Sequence, residues 1–327
     1  MSRRLIVEVE RWPLARPFTI SRGSKTAAEV VVATVEADGV GGRGECVPYT
    51  RYGETTVAVA DQLQALAPAV AAGLDRDQLA HRLPPGAARN ALDCALVDLA
   101  CRQRGVPAWQ LLGLAAPRPT VTAETIVLAR AAEMAADAAR LADRPCLKLK
   151  VAADGIVERV AAVRRAAPRA RLIVDANEAW TGAVLTAVLP DLAELGVAVI
   201  EQPLPAGADD ALCRLTSPIP ICADEACHTR ADLDRLPGGY TMINVKLDKT
   251  GGLGEALALI AAARRRRLGV MIGCMVATSL AMAPALLLAG LADVVDLDGP
   301  LWLAADRTPG LTFAHGVIYP QPTGLWG

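Results

Sequence analysis

Short apolar runs recur along residues 118–311, and each closes on a polar or sulfur-bearing side chain. VTAET closes at Thr125, CLKLK at Lys150, RLIVD at Asp175 and VAVIE at Glu201. PICAD closes at Asp224, MINVK at Lys246, VMIGC at Cys274 and DVVD at Asp296. Successive closing residues are 22 to 28 positions apart. The gaps hold amphipathic stretches such as IVERVAAVRRAA and GEALALIAAARRRR. Eight strand–helix units at this spacing predict an α/β fold, a (β/α)8-type barrel.

Residues 1–117 break the repeat. RLIVEVERW and EVVVATVEADGVGGRGE alternate like antiparallel strands with two unlike faces. ETTVAVADQLQALAPAVAAG and AARNALDCALVDLACRQRG read as helices, the second stopped at Gly105 with Pro107 beyond. They predict a separate α+β domain that caps the barrel. The tail 312–327, with LTFAHGVIYP, is expected to pack back on this cap. The uncharged run LGVMIGCMVATSLAMAPALLLAGLA, residues 268–292, is long enough to span a bilayer. Its glycines, Thr278, Ser279 and Pro284 interrupt it, so a buried strand followed by a buried helix is expected.

Composition narrows the function. Of 327 residues, 53% are hydrophobic and 21% charged, which is a soluble globular balance with a rich core. Thirty-four Lys and Arg against 35 Asp and Glu leave no charge excess for nucleic acid or an anionic membrane. MSRRLIVEVERW has no long apolar run and reads as a strand, not a signal peptide. Eight scattered cysteines without a CxxC pair point to reduced thiols and a cytoplasmic protein. Only three histidines are present, so acid–base chemistry falls to other groups.

Two motifs carry nothing. GVGGRG, residues 39–44, has the G-x-G-x-x-G spacing, but a dinucleotide loop needs a helix directly afterwards and ECVPYT follows. Asp38-Gly39 marks a hairpin instead. Arg264–Arg267 ends a helix, where cations complement the dipole.

The strand ends carry more. Barrel active sites lie at the C-terminal ends of the strands, so Lys150, Asp175, Glu201, Asp224, Lys246 and Asp296 converge on one mouth. Asp175, Glu201 and Asp224 come from consecutive strands about 5 Å apart. Carboxylates that close repel unless a cation lies between them. Oxygen ligands without His or Cys suit a hard divalent ion, Mg2+ before Mn2+. Lys150 and Lys246 stand on the second and sixth strands, opposite each other across the mouth. They suit removal of a proton from one face of a carbon and its return to the other. The alternative is that both merely neutralise the acids. A base needs a pKa near neutrality, and Mg2+ with Lys148 nearby is expected to lower that of Lys150.

These residues resemble the enolase superfamily, muconate-lactonizing subgroup, over essentially the whole chain. The carriers are the cap, K-x-K on the second strand, Asp, Glu and Asp on the third to fifth, and Lys on the sixth. ARPFTISRGSK, PYTRYGET, VDANEAW, EQPLP, CADEACHT, NVKLDKTGGL, IGCMVATS and DLDGPLWLAAD further resemble dipeptide epimerases, among them those acting on L-Ala-D/L-Glu. The resemblance implies a modified, enolase-like barrel with one Mg2+ per subunit on Asp175, Glu201 and Asp224. It implies Lys150 and Lys246 as acid/base catalysts of a 1,1-proton transfer at the C-terminal residue of a dipeptide. Asp296 and Asp298 would hold the substrate ammonium, with Thr125, Lys148 and the Cys274 backbone lining the pocket. Arg22, Lys25 or Arg51 would meet a glutamate side chain. A homo-oligomer that recycles murein peptides in the cytoplasm would fit. Ala277 departs from the many relatives with Glu there, and is expected to tune the pocket without changing the chemistry. Muconate cycloisomerisation, o-succinylbenzoate synthesis and N-succinyl amino acid racemisation are rival reactions on the same scaffold. A non-catalytic ligand-binding barrel is the rival of another class.

Overall fold

The computed structural model describes residues 3–320 and 324–327. β1 (Arg4–Ile20), β2 (Gly23–Ala37) and β3 (Val40–Cys46) form an antiparallel sheet in chain order. Asp38 and Gly39 both take positive φ, 55° and 78°, in the β2–β3 turn, as a tight hairpin requires. The period-2 alternation of β2 divides it between two cores. Val31, Ala33 and Val35 pack among the cap helices, while Val30 and Val32 join the core shared with the barrel. Two glycines of GVGGRG serve packing. A Cβ on Gly42 would lie 2.4 Å from Ala95 O, and one on Gly44 2.1 Å from Ala91 O, so the helix Ala87–Arg104 can rest directly on β3.

β4 (Thr120–Val121) leads into eight parallel strands. They are β5 (Glu124–Ile126), β6 (Cys146–Lys150), β7 (Arg171–Asp175), β8 (Val197–Glu201), β9 (Ile221–Ala223), β10 (Met242–Val245), β11 (Gly269–Gly273) and β12 (Val294–Asp296). Each pairs with its chain neighbour. Ala123 N–H donates to Val295 O at 2.8 Å across the remaining seam, so the sheet is a near-closed barrel.

Alternation along these strands builds the barrel in layers. Ala123, Cys146, Ile173, Val199, Cys222, Met242, Met271 and Val294 form one apolar cluster. Two residues further on, the same inward face carries Thr125, Lys148, Asp175, Glu201, Asp224, Asn244, Gly273 and Asp296. Lys150, Lys246 and Asp298 come two beyond that. An apolar floor therefore lies under a polar mouth.

The outer layer departs from eight helices. Helices follow β5, β6, β7, β10 and β11, but β8 and β9 are followed by the short 3-10 segments Asp210–Arg214 and Arg230–Asp234. Pro203, Pro205, Gly207, Pro218 and Pro220 break the first connection, and Pro237-Gly238-Gly239 the second. The run 268–292 forms β11 and the helix Ser279–Leu286. No helix of the described residues is long and apolar enough to cross a membrane. The tail divides. β13 (Thr312–Ala314) and β14 (Val317–Tyr319) make a hairpin on β4. Trp326 Nε1 donates to Cys94 O at 3.2 Å and Gly327 N–H to Asp98 Oδ1 at 2.8 Å, both on the cap helix Ala87–Arg104.

Candidate active site

The mouth brings the predicted ionisable strand-end residues together, and Lys150, Asp175, Glu201, Asp224, Lys246 and Asp296 are all buried. Lys148 Nζ lies 2.8 Å from Asp296 Oδ2, 2.7 Å from Glu201 Oε2 and 3.1 Å from Asp175 Oδ2. Lys150 Nζ donates to Asp175 Oδ2 at 2.6 Å, and Lys246 Nζ to Asp224 Oδ2 at 2.7 Å. The ion pairs of the neutralising reading are thus present at both lysines.

Three polar residues that the sequence analysis passed over complete the framework. Lys249 has no exposed side-chain surface. Its ammonium donates to Asp224 Oδ1 at 2.7 Å and to the carbonyls of Asp224, Cys227 and Asn244. Asn244 donates to Glu201 Oε1 at 2.8 Å, and Gly273 makes room for it, since a Cβ there would meet Asn244 Oδ1 at 2.4 Å. Gln202 accepts from the backbone N–H groups of Asp224 and Ala226. Asn177, Glu178 and Gln202 take φ values of 46°, 69° and 34° just beyond β7 and β8. Strain of this kind clusters at functional sites.

The charges set one another. Burial pushes Asp175 up, but the Lys150 and Lys148 ammoniums outweigh it and hold the carboxyl at about 2. Burial is likewise outweighed at Asp224, where Lys246 and Lys249 hold the group well below the usual carboxylate range. Glu201 is raised, by burial and then by the Asp175 charge. Lys246 stands above the ordinary lysine value, because Asp224 and Glu201 overcome burial.

The acids of the mouth offer oxygen donors alone, the chemistry of a hard cation. Four buried lysines (148, 150, 246 and 249), with Arg22 on Glu225, face six buried carboxylates (175, 201, 224, 225, 296 and 298), an excess of one negative charge. Glu201 Oε2 lies 2.7 Å from the Lys148 ammonium yet accepts no hydrogen bond. Among the described residues no three His, Cys, Asp or Glu side chains are gathered as an ion would need them; the lysine ammoniums stand among the acids instead.

Asp296 and Asp298 each have one oxygen occupied. Lys148 holds Asp296 Oδ2, and Asp296 Oδ1 is buried without a partner. Asp298 Oδ2 accepts from Thr125 N–H at 2.7 Å and from Trp302 Nε1 at 3.3 Å. Burial, then the Asp296 charge, pushes Asp298 up to about 6. Cys274 is half-buried just past β11, and Ala277 is buried.

The cap closes over this mouth. Arg22 donates to Asn177 O, Glu178 Oε2, Tyr49 Oη and Glu225 Oε1, at 2.7 to 3.1 Å. Arg51 grips both oxygens of Glu178 at 2.8 Å. Both guanidiniums are therefore bound to the protein's own acids. The Lys25 ammonium makes no hydrogen bond or ion pair among the described residues and hangs 5.3 Å over the Tyr49 ring.

Known proteins share both the architecture and the sequence. Residues 2–113 match the mandelate racemase / muconate lactonizing enzyme N-terminal domain, and residues 130–325 the enolase C-terminal domain-like family. The chain therefore belongs to the mandelate racemase / muconate lactonizing enzyme family of the enolase superfamily. It is 49% identical to the L-Ala-D/L-Glu epimerase of Escherichia coli K12, covering 97% of this chain and 99% of that one. It is 43% identical to an N-acetyl-D-glutamate racemase of Pseudoalteromonas, covering 88% and 91%. A crystal structure of an enolase family member from Agrobacterium tumefaciens, homologous to dipeptide epimerases, superposes with TM-score 0.97 at 50% identity. The match covers 99% of this chain and 100% of that chain, which holds bound sodium and L-Ala-L-Glu.

Proposed function

We propose that the chain is a dipeptide epimerase that inverts the α-carbon of the C-terminal residue, with L-Ala-D/L-Glu as substrate. The observation that carries this is the placement of Lys150 and Lys246 four strands apart on one barrel mouth, each hydrogen-bonded to a strand-end carboxylate. One lysine Nζ takes the α-proton from one face, and the opposite lysine returns a proton to the other. The substrate gains and loses one proton, so no oxidant or co-substrate is required.

Asp175, Glu201 and Asp224 would hold one Mg2+ per subunit. When bound, that ion supplies Lewis acidity toward the substrate carboxylate. The free oxygens of Asp296 and Asp298 accept the substrate's N-terminal ammonium. Thr125 fixes Asp298 through its backbone N–H, and Lys148 fixes Asp296. With Arg22 and Arg51 committed to Glu178 and Glu225, Lys25 is the lid cation free for a glutamate side chain. The reaction suits recycling of murein peptides in the cytoplasm.

A dipeptide library incubated in D2O and read by mass spectrometry tests the proposal. Each turnover replaces the α-hydrogen by deuterium, adding one mass unit. Labelling of free Ala-Glu dipeptides ahead of N-acetyl and N-succinyl amino acids is expected. Preferential labelling of the N-acylated compounds would replace this reading by an N-acyl amino acid racemase.

A further inference from the structure

We infer that Trp302 is a positioning residue for the substrate's ammonium group, holding Asp298 through its indole N–H and tying it to the cap. The inference rests on the reading of Asp296 and Asp298 as the ammonium site.

Trp302 ends the short turn Gly299–Trp302 that follows β12, and it is buried. Its Nε1–H and the Thr125 N–H both point at Asp298 Oδ2. That oxygen is therefore saturated, and the Thr125 hydroxyl also holds the carboxylate. The rotation of the carboxylate is set by these donors together, and with it the direction in which Oδ1 faces. The other side of the indole belongs to the cap. Phe18 meets the ring edge-to-face at 4.7 Å, and the Arg16 guanidinium stands 4.6 Å from its centroid. Ala304 N–H donates to Pro13 O at 2.9 Å, so β1 and the turn are also joined through the backbone.

This arrangement answers a difficulty of the site. Two like charges two residues apart on one strand end repel, and burial adds to the penalty. The Thr125 hydroxyl, the Thr125 N–H and the Trp302 indole N–H, in that order, oppose both effects at Asp298. A core aromatic needed only for packing would not require the indole N–H, so phenylalanine separates the two roles.

Trp302→Phe keeps an aromatic ring and removes the donor. The KM for L-Ala-L-Glu should rise about three- to tenfold, a part of the tenfold or more that loss of a whole charge-assisted hydrogen bond to the substrate would cost. kcat should change less than twofold, and the KM of N-acetyl-L-Glu, which lacks the ammonium, should not move. Phe18→Ala, which only loosens the ring, should raise the same KM by a smaller factor. A readout independent of turnover uses indole-15N-labelled protein. The Nε1–H resonance absent from Trp302→Phe should shift when L-Ala-L-Glu is added to wild type, and should not shift in Asp298→Asn. Equal effects of Trp302→Phe on both substrates, an unchanged KM, or an indole resonance indifferent to the dipeptide would overturn the inference. Wild-type enzyme that ignores free dipeptides would instead overturn the reading of the site. If Trp302→Phe does not fold, Phe18→Ala and the wild-type resonance decide.

Discussion

Asn244 donates its side-chain amide to Glu201 Oε1 at 2.8 Å, and both residues have no exposed surface. The bond orients Glu201 and leaves Oε2 without a hydrogen bond. It also identifies the substitution that best tests the cation site. Glu201→Gln keeps an oxygen for Asn244 and removes one of three counter-charges of Lys148, which retains Asp175 and Asp296. Asp224→Asn would instead strip two buried lysines of their counter-charge.

Chelation with EDTA should abolish activity, and Mg2+ should restore it. Glu201→Gln should fold with a near-native circular dichroism spectrum yet lose the Mg2+-dependent rise in melting temperature. Full activity of wild type in chelator would remove the metal from the account.

Asp298 links recognition to pH. Its carboxyl is pushed up to about 6, so in the free enzyme it gains a proton as pH falls through that value. A substrate ammonium needs the ionised form. The KM for L-Ala-L-Glu should therefore rise below about pH 6, approaching tenfold per unit, while that of N-acetyl-L-Glu stays flat. Asp298→Asn should raise the dipeptide KM at least about tenfold at neutral pH, the effect of losing a charge-assisted hydrogen bond of about 1.5–3 kcal/mol. It should also erase the acid limb. A KM profile identical for both substrates would contradict the assignment.

Lys249 is predicted to matter for folding as much as for chemistry. Removing one partner of a buried ion pair costs about 3–5 kcal/mol, and Lys249→Met also leaves three carbonyls without their donor. The denaturant midpoint should fall by a corresponding amount. A surface-like change below about 0.5 kcal/mol would show that the cage is not intact in solution.

The barrel was legible because each strand announces its end. An alternating strand that closes on Asp175, Glu201 or Asp224 places that side chain two residues above an apolar floor, whatever the loops do. The connections after β8 and β9 were less legible, since DDALCRL and RADLDRL carry helix-like residues while the flanking prolines and glycines permit only one 3-10 turn. Lys249 reads as a solvated residue in KLDKT, and only the packing of the following Gly251 and Gly252 against the cap residues Arg89 and Asp93 encloses that segment. Arg22 lies 156 residues from Glu178 and 203 from Glu225, so no local pattern could show that both acids hold it. Asn244 did leave a sign. A lone amide inside MINVK, two before Lys246, must share its inward face.

The two-base proposal is tested most directly by proton NMR of α-hydrogen exchange in D2O, with L-Ala-L-Glu and L-Ala-D-Glu supplied separately. Wild type should exchange and interconvert both. Lys150→Ala and Lys246→Ala should each abolish interconversion, and each should still exchange one diastereomer, a different one for each variant. A single-lysine variant that interconverts the diastereomers, or two variants that exchange the same one, would contradict the account.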